Sequence, residues 1–117
     1  MTLPDESWLL RVHCGESDRH RGLPLYEAIV RKARELNMAG ATVLRGSMGF
    51  GAASRIHTAK VLRLSEDLPV VVEIIESREK IDELLPHLEE MVLDGVVTLE
   101  RVQVVLYHAK RAAATRD

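Results

Sequence analysis

Several features that mark specialised proteins are scarce in this 117-residue chain. Its one cysteine, Cys14, has no partner for a disulfide within the chain. Aromatic residues make up 3% and the net charge is −2, which leaves few stacking platforms and no basic field for nucleic acid. No apolar run approaches the roughly 20 residues that span a bilayer, and the N-terminal residues do not resemble a secretion signal. We therefore expect a cytoplasmic protein that neither inserts into a membrane nor binds nucleic acid.

The composition that remains is that of a globular protein. Hydrophobic residues make up 46% of the chain and charged residues 29%. A chain of this length holds one packed core and is too short for two. We expect a single domain over residues 1–117, with an ordered core over about 7–108 and a tail over 109–117.

A two-residue alternation of apolar side chains predicts strands. In residues 7–14 it places Trp8, Leu10, Val12 and Cys14 on one side of a strand and Leu9, Arg11 and His13 on the other. Similar patterns predict strands over residues 41–48, 70–76 and 97–107, and a strand or hairpin arm over residues 58–64. The polar segment 15–22 is expected to be a loop.

Two helices lie between these strands. The first is expected from Pro24 to about Met38, since proline suits the first helical turn. The second has Ser77 as its N-cap and a stripe of apolar residues that ends before Gly95. Pro86 falls inside this helix and costs about 3 kcal/mol, so a kink or a break is expected there. The order βαββαβ predicts an α+β, ferredoxin-like split βαβ sandwich, with an antiparallel sheet and two helices on one face.

The other face of this sheet is predicted to be partly apolar. Burying each such side chain contributes roughly 1.5–3 kcal/mol, so a partner subunit is expected to cover the face. Arg11 and Glu73 lie there and could pair across neighbouring strands, or they could be rim charges that face water. The residues assigned to this face are Leu9, Val71, Ile75, Val105 and Tyr107, among Arg11, His13, Glu73 and Gln103.

The segment after the second predicted strand differs most from a core sequence. Its glycines can leave main-chain N–H groups free to face an anion, and its cations add positive charge. Two or three charge-assisted contacts of about 1.5–3 kcal/mol each would give micromolar affinity, near −8 kcal/mol. The alternative is a mobile hairpin with solvated charges, in which Phe50 anchors the loop to a neighbour and does not cover a ligand. The candidate ligand-binding residues are Arg45, Gly46, Gly49, Phe50, Gly51, Arg55, His57 and Lys60.

Four segments of the chain, together with Gly22-Leu23-Pro24-Leu25-Tyr26 at the first helix, resemble a PII-like family catalogued as domain of unknown function 190. They are residues 40–46, Gly49-Phe50-Gly51, Ile56-His57-Thr58 and residues 64–70, and the likeness extends over residues 9–105. The resemblance implies a ferredoxin-like subunit in a ring of three, similar to the PII signalling proteins and the CutA proteins.

The same resemblance implies a nucleotide site and also shows where this chain departs from it. In PII proteins an Arg-Gly-Phe-Gly segment leads into a long loop that holds ATP or ADP between subunits. Arg45-Gly46 and Gly49-Phe50-Gly51 look like that segment, with Ser47 and Met48 inserted. PII proteins also carry a Gly-Asp-Gly-Lys pattern before the last strand, where this chain has Leu93-Asp94-Gly95-Val96 and no lysine.

These observations together predict a trimeric sensor. It would take up an adenine nucleotide or another small anionic metabolite at the subunit boundary, require no cofactor, and regulate a partner such as a transporter or an enzyme. It is not expected to be an enzyme, and no catalytic or metal site is assigned, because the five histidines show no metal-binding spacing. The alternatives are a CutA-like metal-responsive protein using His13 and Cys14, or a phosphotransfer enzyme with His57 as phosphoacceptor.

Overall fold

The computed structural model describes residues 3–51 and 67–110 of the chain. These residues form six strands and two helices. In chain order they are β1 (Glu6–Gly15), β2 (Arg19–His20), β3 (Leu23–Pro24), α1 (Leu25–Glu35), β4 (Thr42–Arg45), β5 (Pro69–Glu76), α2 (Arg78–Met91) and β6 (Val96–Gln103). The strand or hairpin arm expected over residues 58–64 lies outside the described residues.

Four of the strands form one antiparallel sheet in the order β4-β5-β1-β6. β1 is central and pairs on one side with β5, where Leu10 lies opposite Ile74, and on the other with β6, where Leu10 lies opposite Leu99. The two short strands β2 and β3 form a separate hairpin. This arrangement confirms the predicted α+β, ferredoxin-like fold.

The core lies between one face of this sheet and both helices. On the sheet, Leu10, Val12, Val72 and Ile74 are all at most 1% exposed. These are alternate residues of neighbouring strands, so their side chains meet on one face. The helical residues that pack against them are Ile29 and Ala33 of α1 and Ile81, Leu84, Leu88 and Met91 of α2.

Three strand predictions need correction at their ends. The segment 15–22 was expected to be a loop, yet it contains β2. The predicted strand over 41–48 ends at Arg45, because the next N–H, that of Gly46, donates to the Pro69 carbonyl and the chain then leaves the sheet. The predicted strand over 97–107 begins at Val96 and ends at Gln103; the Val104 N–H still donates to the Asp5 carbonyl, just before β1 begins.

The register of β6 also corrects the predicted open face of the sheet. Gln103 pairs with Glu6, so its position belongs to the helix side and not to the open face. Val105 and Tyr107 lie beyond the end of the strand, so they are not part of the face to which the sequence assigned them. The β6 residues that share the open face with Leu9, Arg11 and His13 are Glu100, Thr98 and Val96, respectively.

The helix ends follow the sequence signals, and α2 continues through its proline. Asn37 has φ of 59°, a left-handed conformation suited to the end of α1. The Ser77 hydroxyl accepts a hydrogen bond of 3.3 Å from the Lys80 N–H, which confirms the predicted N-cap. The expected break at Pro86 is absent, because Pro86 lies on the exposed side of α2 while the buried stripe holds the opposite side. Within residues 3–51 and 67–110, neither helix has the length and apolar character to cross a bilayer.

The open face of the sheet combines one ion-pair network with partly exposed apolar side chains. The Arg11 guanidinium lies 2.9 Å from the Glu73 carboxylate and 2.6 Å from that of Glu100, which confirms the predicted cross-strand pair. Hydrogen bonds from Arg11 to Glu73 and then to Glu100 raise the pKa of the guanidinium further. Leu44 is 48% exposed and Ile75 is 41% exposed on this face. Arg11 is therefore charged at any physiological pH, beside apolar surface that a single chain leaves in water.

Candidate ligand-binding site

A cavity of about 410 Å³ lies at one end of the sheet. Three parts of the chain surround it: the end of β1 with the following turn, the glycine segment after β4, and the turn that leads into β6. The lining residues in these parts are His13, Cys14, Gly15 and Asp18; Gly49, Phe50 and Gly51; and Asp94, Gly95, Val96 and Thr98, with Asp67 and Pro69 at the start of β5.

The glycine segment lies close to Pro69. The Gly46 N–H donates a hydrogen bond of 2.7 Å to the Pro69 carbonyl, so this amide is used within the chain. A Cβ added to Gly46 would lie 2.7 Å from Pro69 Cγ, and one added to Gly49 would lie 2.9 Å from the same atom. Close approach to a proline ring therefore accounts for two of the glycines, and only Gly49, Phe50 and Gly51 of the segment reach the cavity.

The structure separates the candidate site residues into three groups. Gly49, Phe50 and Gly51 line the cavity, and Phe50 is 69% exposed. Arg45 and Gly46 lie beside it, and the Arg45 guanidinium is 2.7 Å from the Glu16 carboxylate. The remaining candidates, Arg55, His57 and Lys60, lie outside the described residues.

Three aspartates on the cavity wall were not singled out from the sequence. The Gly15 N–H donates to Asp18 Oδ2 at 2.9 Å, and the Ser17 hydroxyl donates to Asp67 Oδ1 at 2.8 Å. Asp18 and Asp67 thus hold the turn after β1, a common role for aspartate in turns. With Asp94 they make the described wall acidic, and no arginine or lysine among the described residues lines it.

The turn before β6 rests directly on the end of β1. A Cβ at Gly95 would collide with the main-chain oxygen of His13, so only glycine fits this close approach. The contact brings Asp94, Gly95 and Val96 to the cavity. This is the segment where the family resemblance implies ligand contacts, and the structure gives Gly95 a packing reason that its spacing in the sequence does not reveal.

Cys14 contributes a neutral thiol to the wall. Its half-buried position, and to a smaller degree the charges of Asp18 and Asp67, raise its pKa from 9.0 to about 11. A thiol with a raised pKa is a poor nucleophile at neutral pH. Among residues 3–51 and 67–110, no three histidine, cysteine or acidic side chains are grouped so that they could hold a metal ion.

The sequence matches a known family model over residues 7–104. This is the model of domain of unknown function 190, described as an uncharacterized ACR. The chain belongs to this family. A relative in Aquifex aeolicus (strain VF5), a UPF0166 protein, is 38% identical over 97 residues, which are 83% of this chain and 91% of the relative. A UPF0166 protein of Methanocaldococcus jannaschii is 31% identical over 84 residues, or 72% of this chain and 77% of the relative.

Solved structures with the same fold include PII-like proteins. CPII of Thiomonas intermedia K12, solved with ADP and bicarbonate, has a TM-score of 0.63 and 17% identity, covering 85% of this chain and 88% of CPII. A Thermus thermophilus protein described as PII-like in signaling has a TM-score of 0.60 and 20% identity, covering 86% of this chain and 90% of that protein. At these identities the similarity shows that this member of domain of unknown function 190 has the PII-like fold.

The contact between Gly46 and Pro69 predicts a matched pair of glycine variants. We expect Gly46→Ala to lower the free energy of unfolding by about 1–3 kcal/mol, because the new Cβ and the rigid proline ring cannot share the space. A Cβ added to Gly40 would have no atom within 4 Å, so Gly40→Ala should be neutral or stabilising by up to about 1 kcal/mol. Urea unfolding at equal protein concentration measures both, and equal stability of the two variants would contradict the packing role of Gly46.

The environment of Cys14 predicts its reactivity. The alkylation rate of the folded protein should keep rising to about pH 11, whereas in urea it should level off above pH 9.0, the ordinary value. The raised pKa also adds stability that is complete below pH 9.0 and is lost as the pH rises through about 11. Mass spectrometry of the alkylated chain gives both rate profiles. The same midpoint in the folded and unfolded chains would show that the cavity does not shield the thiol.

Proposed function

We propose that this chain is a subunit of a trimeric PII-like sensor. In this proposal the cavity at the end of β1 takes up an adenine nucleotide or another small anionic metabolite where two subunits meet. The single observation that carries the proposal is the convergence of Gly49-Phe50-Gly51 and the turn at Asp94-Gly95-Val96 on one open cavity. These are the two segments that the family resemblance links to ligand binding.

The similarity to CPII supports the ligand class. CPII has been solved with ADP and bicarbonate, and also with ADP, AMP and acetate. Both sets consist of small anions, and this chain has the same fold. The cavity volume of about 410 Å³ lies within the range of about 300–1,000 Å³ that is usual for small-molecule sites.

The acidic wall divides the work of binding between two parts of the site. Phosphate would be repelled by Asp18, Asp67 and Asp94, whose carboxylates instead suit the hydroxyl and amino donors of the ligand's uncharged part. The anionic part then depends on cations of the segment 45–60. Arg45, Arg55, His57 and Lys60 are the proposed anion-binding residues, with Gly46, Gly49, Phe50 and Gly51 as the main-chain and stacking surface.

The open face of the sheet supports a trimer. Ile75, Leu44 and Val96 are 41%, 48% and 57% exposed there, beside the Arg11 network. Covering such side chains contributes free energy in proportion to the apolar area removed from water. His13, Val96 and Thr98 belong both to this face and to the cavity lining, so a subunit on the face would also border the cavity.

A sensor of this kind acts through a target protein and needs no turnover of its ligand. We propose that the segment 46–60 changes conformation with ligand and that a transporter or an enzyme recognises the change. No direct membrane insertion is required, because the target itself can lie in the membrane. The protein is proposed to work inside the cytoplasm, where adenine nucleotides are available.

Assembly can be tested with a charge placed on the open face. We expect light scattering after gel filtration to give the mass of three chains for the wild type. Ile75→Asp should give single chains, because the new carboxylate would be buried in the interface without a partner. Leu93→Asp is the matched control, since Leu93 is 90% exposed, and it should remain trimeric. A monomeric wild type would overturn the trimer.

Ligand binding can be tested by calorimetric titration with ADP, AMP, ATP and bicarbonate. We expect saturable binding of at least one of them, and Phe50→Ala should weaken adenine nucleotide binding about tenfold if the ring stacks on the base. Met48→Ala is the control, because Met48 is 72% exposed on the same segment but does not line the cavity.

The outcome of this titration also decides the role of Phe50. Unchanged ADP affinity in Phe50→Ala together with loss of the trimer would mean that Phe50 anchors the loop to a neighbour. Absence of binding by every compound in the wild type would contradict the nucleotide or bicarbonate ligand. Hydrolysis of a bound nucleotide, followed by phosphate release, would contradict the proposal that the protein is not an enzyme.

A further inference from the structure

We propose that Glu16 restrains anion binding by holding the Arg45 guanidinium away from the cavity. The inference rests on the proposed function, because it concerns the same site and the same class of ligand. In the state that the structure describes, Arg45 is paired within the chain. An anionic ligand that recruits Arg45 must therefore displace the Glu16 carboxylate.

The ion pair joins two segments that both border the cavity. Glu16 follows Gly15, which lines the cavity, and Arg45 precedes Gly46, which is bound to the lining residue Pro69. The Arg45 Nη2 to Glu16 Oε2 distance is 2.7 Å, while neither side chain belongs to the lining. The guanidinium thus lies next to the cavity and contacts a carboxylate outside it.

The Glu16 carboxylate is carried by a well-fixed turn. The Glu16 N–H donates to the Leu68 carbonyl at 2.8 Å, and the neighbouring Ser17 donates to Asp67 from both its N–H and its hydroxyl. The Glu16 side chain is 27% exposed, against 51% for Arg45. The glutamate is therefore the fixed partner and the arginine the one that can turn toward a ligand.

A carboxylate and a phosphate use the same donors of a guanidinium, so they compete for it. The Glu16–Arg45 pair differs from the helical pair of Arg31 and Glu27, which are four residues apart on α1 and also 2.7 Å from each other. That pair lies within one helix, whereas Glu16 links the turn after β1 to the end of β4. Breaking the Glu16–Arg45 contact frees a cation at the cavity, and breaking the helical pair does not.

The expected effect follows from the strength of partly exposed ion pairs. Releasing Arg45 should tighten the binding of an anion by about two- to fivefold, the range that such a pair contributes. Removing the negative charge of Glu16 acts in the same direction. Glutamine keeps the shape of the side chain, so Glu16→Gln should preserve the turn, whose hydrogen bonds come from the main chain and from neighbouring residues.

The test is a double-mutant cycle with ADP and inorganic phosphate as the probes, measured by calorimetry at low ionic strength. The proteins are the wild type, Glu16→Gln, Arg45→Ala and the double variant, with Glu27→Gln as the control that changes the net charge equally. We expect Glu16→Gln to bind about two- to fivefold more tightly than the wild type. The same substitution in the Arg45→Ala background should have no effect, and Glu27→Gln should match the wild type.

Each other outcome has a distinct meaning. If the wild type binds and Glu16→Gln binds equally or more weakly, the restraint is wrong and the proposed function stands. If Glu27→Gln tightens binding as much as Glu16→Gln, net charge is responsible and the restraint is wrong. Binding by Glu16→Gln alone would support the restraint strongly. If neither the wild type nor Glu16→Gln binds any probe, both the restraint and the nucleotide or phosphate ligand fail.

Discussion

The double pairing of β1 with β5 and β6 is the constraint on which the rest of the structure depends. Because neighbouring residues of a strand point to opposite faces, this register places Leu10 and Val12 against the helices and Arg11 on the open face. The same pairing brings Glu73 and Glu100 to the two sides of Arg11. A shift by one residue would bury the arginine and expose the core, so the hydrophobic pattern fixes the open face and the end of β1 where the cavity lies.

Electrostatics at that end of the sheet is divided between carboxylates and cations. Asp18 and Asp67 hold the turn after β1, and in doing so they make the described wall of the cavity acidic. Arg45, the cation nearest to it among the described candidates, is paired with Glu16. An anion can bind stably here only if cations outnumber the carboxylates around it. Binding is therefore expected to depend on the segment after β4 and on its arrangement in an assembled protein.

The sequence was informative where one force dominates. The alternation in residues 7–14 and the stripe of α2 predicted the sheet and the helix, because burial of apolar surface decides both. The end of β6 and its face were wrong, since pairing with β1 sets them and the apolar run continues past Gln103. Gly46 and Gly49 suggested an anion-binding main chain, whereas their closest contact is Pro69. The partner of Arg45 could not be predicted, because Glu16 is distant in sequence.

The central claim is that the cavity at the end of β1 holds a small anionic ligand at a subunit boundary. A crystal structure of the full chain grown with saturating ADP and bicarbonate tests it most directly. We expect density for a ligand between Phe50 and the turn at Asp94, with a second copy of the chain packed against the open face of the sheet. A cavity filled by side chains of its own chain, in a protein that packs without a threefold axis, would contradict the claim.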